Sequence, residues 1–287
     1  MGYCFLRFPG GKMKAVTLSY DDGDLSDLRL ARLLEKHGMK GTFNVCSGTF
    51  DREGRMKPQD LREEILGRGH EVAVHGEYHL APGAAESTAI AIADVLNCRR
   101  DLEAHLGGII RGMAYPDSGI TKMHNGNDYA TIRSYLQELG ISYARTLAGD
   151  NDSFLLPTDF YAWMPTAHHT NPSLDEYVEK FLAIREEELR GASLYPRLFY
   201  LWGHTFEFER EGNWDLIERF CERMAGHGDT WYATNGEICD YVEAYSRLLW
   251  SVDRKTVYNP TLYDIWMNVD KKTLCVRSGE TLVLERK

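Results

Sequence analysis

Two adjacent carboxylates, Asp21 and Asp22, directly follow an apolar run that ends at Tyr20, and they directly precede Gly23. The run begins near Ala15 and has the β-branched, alternating pattern of a buried strand, so we expect the two acids at a polar site where that strand ends. One carboxylate can hold a cation while its neighbour takes protons from water. Asp and Gly are also ordinary turn residues, so this stretch alone fits a turn before the next helix equally well.

Histidines follow two later strand-like runs. His75 and His79 come after the run 71–74, and their spacing predicts that both lie on one face of a helical turn. His204 comes shortly after the apolar run 198–200. Three strand ends therefore deliver Asp and His side chains, a pattern that indicates a metal-centred hydrolytic site rather than isolated core histidines.

These motifs resemble those of the polysaccharide deacetylases of carbohydrate esterase family 4. The hallmarks of that family are an aspartate pair before glycine, a histidine pair at this spacing, and a late segment with leucine and histidine. This chain matches them at 20–23, 75–79 and 201–204, with one additional residue between leucine and histidine in the last. The resemblance extends over about residues 12 to 240, with the motifs in the expected order.

The resemblance implies a metal-dependent hydrolase of linear amides that removes acetyl groups, mainly N-acetyl groups, from an amino-sugar polysaccharide or oligosaccharide. It implies that Asp22, His75 and His79 bind one divalent metal ion. These ligands suit zinc, cobalt, nickel or iron, and zinc is the expected default. It further implies that Asp21 is the general base and that His204 protonates the leaving amine or alkoxide. By their residue types alone, Asp21 also fits a structural cap and His204 a core histidine.

Two other functions stay open at this point. The same fold can hydrolyse another small amide or a ring C–N bond, and a chain that kept the barrel without catalysis would be a carbohydrate-binding protein. The complete set of motif carboxylates and histidines weighs against a non-catalytic carbohydrate-binding protein. The expected partner is a carbohydrate substrate.

This chain departs from the family pattern in two motifs. The third motif aligns poorly and leaves Tyr115 and Asp117 as candidate substrate-binding residues. In the fourth motif, alanine rather than aspartate precedes Trp163, which by resemblance lines the acetyl pocket. Asp159 is then the nearest candidate for orienting His204.

The arginine that orients the catalytic aspartate in the third motif has two candidate replacements. Arg145 ends the strand after the one that carries Tyr115, so it can reach Asp21 from a neighbouring position at the rim. Arg111 lies earlier in its strand and faces the opposite side from the motif position. We predict that Arg145 pairs with Asp21 and holds it ionised as the base.

Considered by itself, a second histidine pair, His168-His169, resembles a metal site. No carboxylate stands at a recognisable spacing from it. We therefore expect a supporting or loop role for this pair.

The order of elements predicts an α/β fold. Strand-like runs alternate with helical stretches that end at glycine, which indicates parallel β/α units with the candidate residues at the carboxyl ends of the strands. The resemblance sharpens this to a distorted (β/α)7-type barrel, which we expect over residues 12–246. Residues 247–287 form a small β-rich C-terminal extension, too short to hold its own core and expected to pack on the barrel as a structural lid or a sugar-binding appendage.

Composition excludes several classes of partner. With a formal net charge of -10 and no basic cluster, the chain is not expected to bind nucleic acid. No apolar run approaches the roughly 20 residues of a membrane span. The N-terminus lacks a secretory signal and the six cysteines are scattered singly, so we expect a cytoplasmic protein. The sequence leaves the oligomeric state open.

Overall fold

The structure is a computed structural model of the 287-residue chain, and it describes residues 3–117, 119–125, 127–147 and 149–285. The strands are β1 (Cys4–Arg7), β2 (Lys14–Tyr20), β3 (Thr42–Val45), β4 (Glu71–Val74), β5 (Gly112–Ala114), β6 (Tyr143–Arg145), β7 (Ala167–His168), β8 (Arg197–Gly203), β9 (Thr230–Tyr232), β10 (Leu249–Trp250), β11 (Thr256–Tyr258), β12 (Ile265–Val269), β13 (Lys272–Val276) and β14 (Thr281–Val283). The α-helices are α1 (Asp27–Lys36), α2 (Pro58–Asp60), α3 (Thr88–Leu106), α4 (Tyr129–Glu138), α5 (Leu174–Ala183), α6 (Thr205–Glu211), α7 (Asp215–Met224) and α8 (Asn235–Ser246). The short α2 continues as a π-helical segment (Leu61–Ile65) and a 3₁₀ turn (Leu66–Arg68).

Eight of the strands in the described residues form one parallel sheet. Its order is β6-β5-β4-β3-β2-β8-β7, and β9 pairs with the first half of β2. The sheet closes into a barrel because the extended segment that begins at Trp163 makes backbone hydrogen bonds at both edges of the sheet. Trp163 exchanges backbone hydrogen bonds with Ala144 and Thr146 beside β6, and β7 then pairs with β8. The predicted distorted (β/α)7-type barrel is therefore confirmed.

The two faces of β2 show how the sequence places the site. Val16 and Leu18 point outward and join the apolar cluster formed with the surrounding helices. Thr17 and Ser19 point the other way, where Thr17 donates to Asn235 and Ser19 accepts from Asn44 inside the barrel. Because side chains alternate along a strand, the residue that follows Tyr20 continues the inner, polar face at the carboxyl end of the strand.

The remaining strands form two small antiparallel sheets, β1-β12-β13 and β10-β11-β14. Strand β1 comes from the N-terminus, so residues near both ends of the chain share one sheet. Val257, Ile265 and Met267 of this region are buried in one cluster with Leu198 and Tyr200 of the barrel. The division into residues 12–246 and 247–287 stays a prediction, and the last two residues lie outside the described part.

Among the described helices, none is both long and apolar enough to cross a lipid bilayer.

Candidate active site

Asp22 turns its carboxylate toward two histidines at the carboxyl end of β2. Its backbone has φ 78°, in the left-handed region, so it leaves the strand direction that Asp21 continues. Asp22 Oδ1 lies 3.4 Å from His75 Nε2 and 3.4 Å from His79 Nε2. The guanidinium of Arg55 donates to the backbone carbonyl oxygen of Asp22 at 2.9 Å and holds the turn.

The charge of Asp22 is stabilised by these neighbours. Burial by itself raises the pKa of Asp22, but the neighbouring His75, and the positive charges that His204 and His79 carry when protonated, hold it below its usual range. Burial lowers the pKa of His79, and the nearby His75 lowers it further. An ionised carboxylate and a neutral imidazole are the forms that bind metal.

In its neutral form, His75 presents a lone pair toward Asp22. Its Nδ1 lies 2.9 Å from the backbone carbonyl oxygen of Ala114, and a carbonyl can only accept, so Nδ1 carries the proton. Its Nε2 is therefore unprotonated in the neutral ring. A backbone carbonyl behind the ligating ring is the usual way in which proteins orient a metal-binding histidine.

The two histidines meet through a loop and not through the helical turn that their spacing predicts. Residues 75–80 have no helical structure, and the chain reverses at Gly76 (φ 79°) and His79 (φ 61°). A side chain at Gly76 would approach Asp94 of α3 to 2.2 Å, so only glycine fits there. Asp94 holds the loop by accepting from the backbone N–H of Tyr78 at 2.8 Å.

The Asp22–His75–His79 triad fits a divalent metal ion. Asp22 Oδ1 is buried and has no hydrogen-bond partner among the described residues, which is costly for a carboxylate oxygen unless a cation binds it. The 3.4 Å separations exceed the 2.7–2.9 Å usual for charged hydrogen bonds. They match the edge of about 3.3 Å of a tetrahedron with metal–ligand bonds of about 2.0–2.1 Å.

Asp21 lies beside this triad, inside the barrel. Its side chain is 3% exposed, Arg145 donates to its Oδ2, and Asn44 donates to its Oδ1 at 2.8 Å. Arg145 is itself 1% exposed and stacks on Trp202, with its guanidinium carbon 4.4 Å from the ring centroid. Arg111, the other candidate, forms a bidentate ion pair with Asp240 on the surface instead.

The buried pair gives a prediction about stability. Arg145→Met should lower the free energy of unfolding by about 3–5 kcal/mol, because it leaves the Asp21 carboxylate buried without a compensating charge. Arg111→Met removes a pair in which the arginine is 44% exposed, so a loss of about 0–1 kcal/mol is expected. Denaturant unfolding of both variants checks the difference. Equal losses would show that the Arg145 contact contributes no more than a surface pair.

His204 lies across the rim from the triad, directly before α6. Its Nδ1 is 3.4 Å from Oε1 of Glu207, and Oε2 of Glu207 lies 3.3 Å from His168 Nε2 and 2.9 Å from His169 Nε2. Burial and the neighbouring His169 lower the pKa of His168 to about 4. Burial raises the pKa of Glu207, but its histidine neighbours outweigh this and lower it.

The structure does not bring all the candidate residues to the rim. Tyr115 is 1% exposed and donates to the backbone carbonyl oxygen of Tyr161, and Trp163 is 1% exposed and packs on Tyr143. Both rings are buried against other protein atoms, and their assignment as substrate-binding residues stays a prediction. Asp117 is exposed, and its Oδ2 lies 3.7 Å from His79 Nδ1, next to the triad.

Asp159, the candidate for orienting His204, has other partners. It accepts from the hydroxyl of Tyr129 at 2.6 Å and lies 3.4 Å from Arg133. The carboxylate beside His204 is Glu207. Its position three residues after His204, in the first turn of a helix, is the sequence signal that would have identified it.

The comparisons with known proteins concern the family and the fold. The family model described as polysaccharide deacetylase matches residues 9–144. A search of curated proteins found no match to the chain.

Several solved structures have a similar fold. An allantoinase, PuuE, is 15% identical with a TM-score of 0.57, covering 81% of this chain and 91% of its own. A protein of Pseudomonas aeruginosa PAO1 assigned as a polysaccharide deacetylase is 14% identical with a TM-score of 0.56, covering 81% and 92%. A protein of Mycobacterium smegmatis with the same assignment is 20% identical with a TM-score of 0.55, covering 86% and 96%. At these identities the likeness concerns the fold.

Proposed function

We propose that this chain, whose residues 9–144 carry the polysaccharide deacetylase signature, is a divalent-metal-dependent hydrolase that removes acetyl groups from an amino-sugar polysaccharide or oligosaccharide. The convergence of Asp22, His75 and His79 beside the buried Asp21 carries the proposal. One carboxylate and two imidazoles leave coordination positions for water and substrate. The donor set suits zinc first, and also cobalt, nickel or iron.

The residues around the triad divide the chemistry of amide hydrolysis. A bound cation supplies Lewis acidity at the acetyl carbonyl and lowers the pKa of nearby water. Asp21 accepts a proton from the water that attacks the carbonyl carbon, and Arg145 and Asn44 hold its carboxylate in one orientation. His204, opposite, donates a proton to the sugar nitrogen as the C–N bond breaks, so that acetate and a free amine leave.

A second candidate is hydrolysis of a ring C–N bond in a small cyclic amide. The TM-score of 0.57 to the allantoinase is close to the scores of 0.56 and 0.55 to the two proteins assigned as deacetylases. Metal-assisted attack on a carbonyl serves both reactions, but only the first releases acetate.

Acetate release therefore separates the candidates. The full chain is stripped of metal with a chelator, reloaded with zinc, and assayed on chitooligosaccharides, peptidoglycan fragments and acetylated xylan, with allantoin as the cyclic substrate. We expect acetate from an N-acetylated substrate only after reloading. Ring opening without acetate release would favour the second candidate. Inactivity of the zinc-loaded chain on every substrate would point to a carbohydrate-binding protein that has lost catalysis.

A further inference from the structure

A second group of ligating side chains lies at the rim of the barrel. His168 ends β7, His204 follows β8, and Glu207 lies in the first turn of α6. One ligating atom from each of these three residues lies within 4.8 Å of the others. Two segments that are separate in sequence, the end of β7 and the junction of β8 with α6, therefore deliver two imidazoles and one carboxylate to one point.

The contacts of Glu207 in this group are as long as those of Asp22 in the triad. Glu207 Oε2 lies 3.3 Å from His168 Nε2 and Glu207 Oε1 lies 3.4 Å from His204 Nδ1, so each oxygen faces one imidazole, whereas both 3.4 Å contacts of the triad are made by Asp22 Oδ1. Hydrogen bonds between a carboxylate and a charged nitrogen are shorter, at about 2.7–2.9 Å. Ligands held tetrahedrally at about 2.0–2.1 Å from a common ion are about 3.3 Å apart.

One buried atom that faces this point has no partner. His204 Nδ1 has no hydrogen-bond partner within the described part of the chain. The same is true of Asp22 Oδ1 at the triad. An unpaired buried polar atom destabilises a fold, and a bound cation would satisfy His204 Nδ1.

Thr170 lies behind the His168 ring. Its backbone N–H, which can only donate, approaches His168 Nδ1 at 3.2 Å, so Nδ1 accepts and Nε2 carries the proton of the neutral ring. The hydroxyl oxygen of Thr170 lies 2.7 Å from the same nitrogen, and metal binding through Nε2 would require Nδ1 to take the proton and donate to that hydroxyl oxygen.

His169 supports the carboxylate from behind. Its ring is 0% exposed, stacks on Phe208 at 4.2 Å, and lies so close to Gly203 that a side chain there would meet it at 1.9 Å. Its Nε2 is 2.9 Å from Glu207 Oε2. A fixed ring at this distance sets the direction of the carboxylate, as outer partners of metal ligands do.

We propose that His168, His204 and Glu207 bind a second divalent cation of the zinc class, with His169 positioning Glu207. The cation would occupy Nδ1 of His204 and leave a neutral ring with its proton on Nε2, so an occupied second site would make His204 a hydrogen-bond donor in place of the proton donor that the proposed function assigns to it. The proposal goes beyond the proposed hydrolysis and does not depend on it, because counting ions decides it.

The test is the zinc content of the intact chain. Metal-stripped protein is equilibrated with zinc, freed of unbound ion by gel filtration, and analysed by mass spectrometry for zinc per chain. We expect two ions in the wild type, one in His168→Ala, one in Asp22→Ala and none in the double variant. The control His105→Ala, which removes an exposed histidine of α3, should keep two.

Cobalt absorption gives a second measurement that does not depend on enzyme activity. Titration with Co²⁺ should reach its end point at two equivalents in the wild type and at one in Glu207→Gln, which keeps the shape of the side chain. A wild type that saturates at one ion, or a folded His168→Ala that retains two, would overturn the second site. Loss of an ion in His168→Ala but not in Asp22→Ala would keep it and remove the metal assignment of the proposed function.

Discussion

Replacing Asp22 by alanine is expected to remove the metal ion from the Asp22–His75–His79 triad and to lower hydrolysis by about 10³-fold or more. Asp22 is the only carboxylate of the triad, and two imidazoles without it offer too few donors to retain the ion. A Lewis acid contributes several kcal/mol to such a reaction, and each 1.36 kcal/mol corresponds to tenfold in rate. The measurements are zinc per chain and the rate of acetate release.

His75→Ala and His79→Ala should have the same effect, since each removes one of the three ligands. Asp51→Ala is the matched control, because Asp51 is an exposed acid outside the triad. Equal zinc content in the wild type and all three triad variants would contradict the assignment of this site. Added zinc should restore part of the activity of the His79 variant first, because His79 is 35% exposed and water can replace it.

Asp21→Asn should keep the metal and lose about 10²- to 10⁴-fold in rate. The amide has the shape of the carboxylate and can accept a hydrogen bond from Arg145, but it cannot take a proton from the attacking water. Zinc analysis and the rate of acetate release under saturating substrate check the two halves of this prediction. A variant that retains activity within tenfold of the wild type would exclude Asp21 as the base.

The Asp21 variant needs a control for structure, because the substitution also removes the negative charge beside Arg145. Asn44→Ala removes the other hydrogen bond to Asp21, at 2.8 Å, but leaves the carboxylate in place. It loosens the same side chain without removing the proton acceptor, so its rate should fall much less. Denaturant unfolding of both variants separates loss of the base from loss of the fold.

Local sequence predicted the framework of the barrel. The alternation before Asp21 places apolar side chains against the helices and polar ones inside, and it predicts β2 to within one residue of its observed start at Lys14. Glycines after helical stretches mark where strands begin, and the motif residues follow strands because parallel β/α units expose the carboxyl ends of their strands. The resemblance to the polysaccharide deacetylases is likewise confirmed, with the family model matching residues 9–144.

Directions of individual side chains depended on contacts that the sequence does not display. The reversal at Gly76 and the left-handed backbone of Asp22 and His79 bring the triad together, whereas periodicity predicted a helical turn. Trp163 lies in a motif that aligns with the fourth motif of the family, but its ring packs on Tyr143 where the sheet closes. Helix α6 and the pairing of β1 with β12 were not predicted, because the first is short and the second joins residues more than 250 positions apart.

The sequence by itself identified Asp22, His75 and His79 as candidate metal ligands, because they stand in motifs at strand ends that resemble those of the polysaccharide deacetylases. Only the tertiary structure decided that His168 joins His204 and Glu207. That group draws on β7 and the start of α6, and its members meet only because β7 pairs with β8 when the sheet curls into a barrel. Residue types in sequence identify candidate ligands, but the closure of the sheet sets the distances between them.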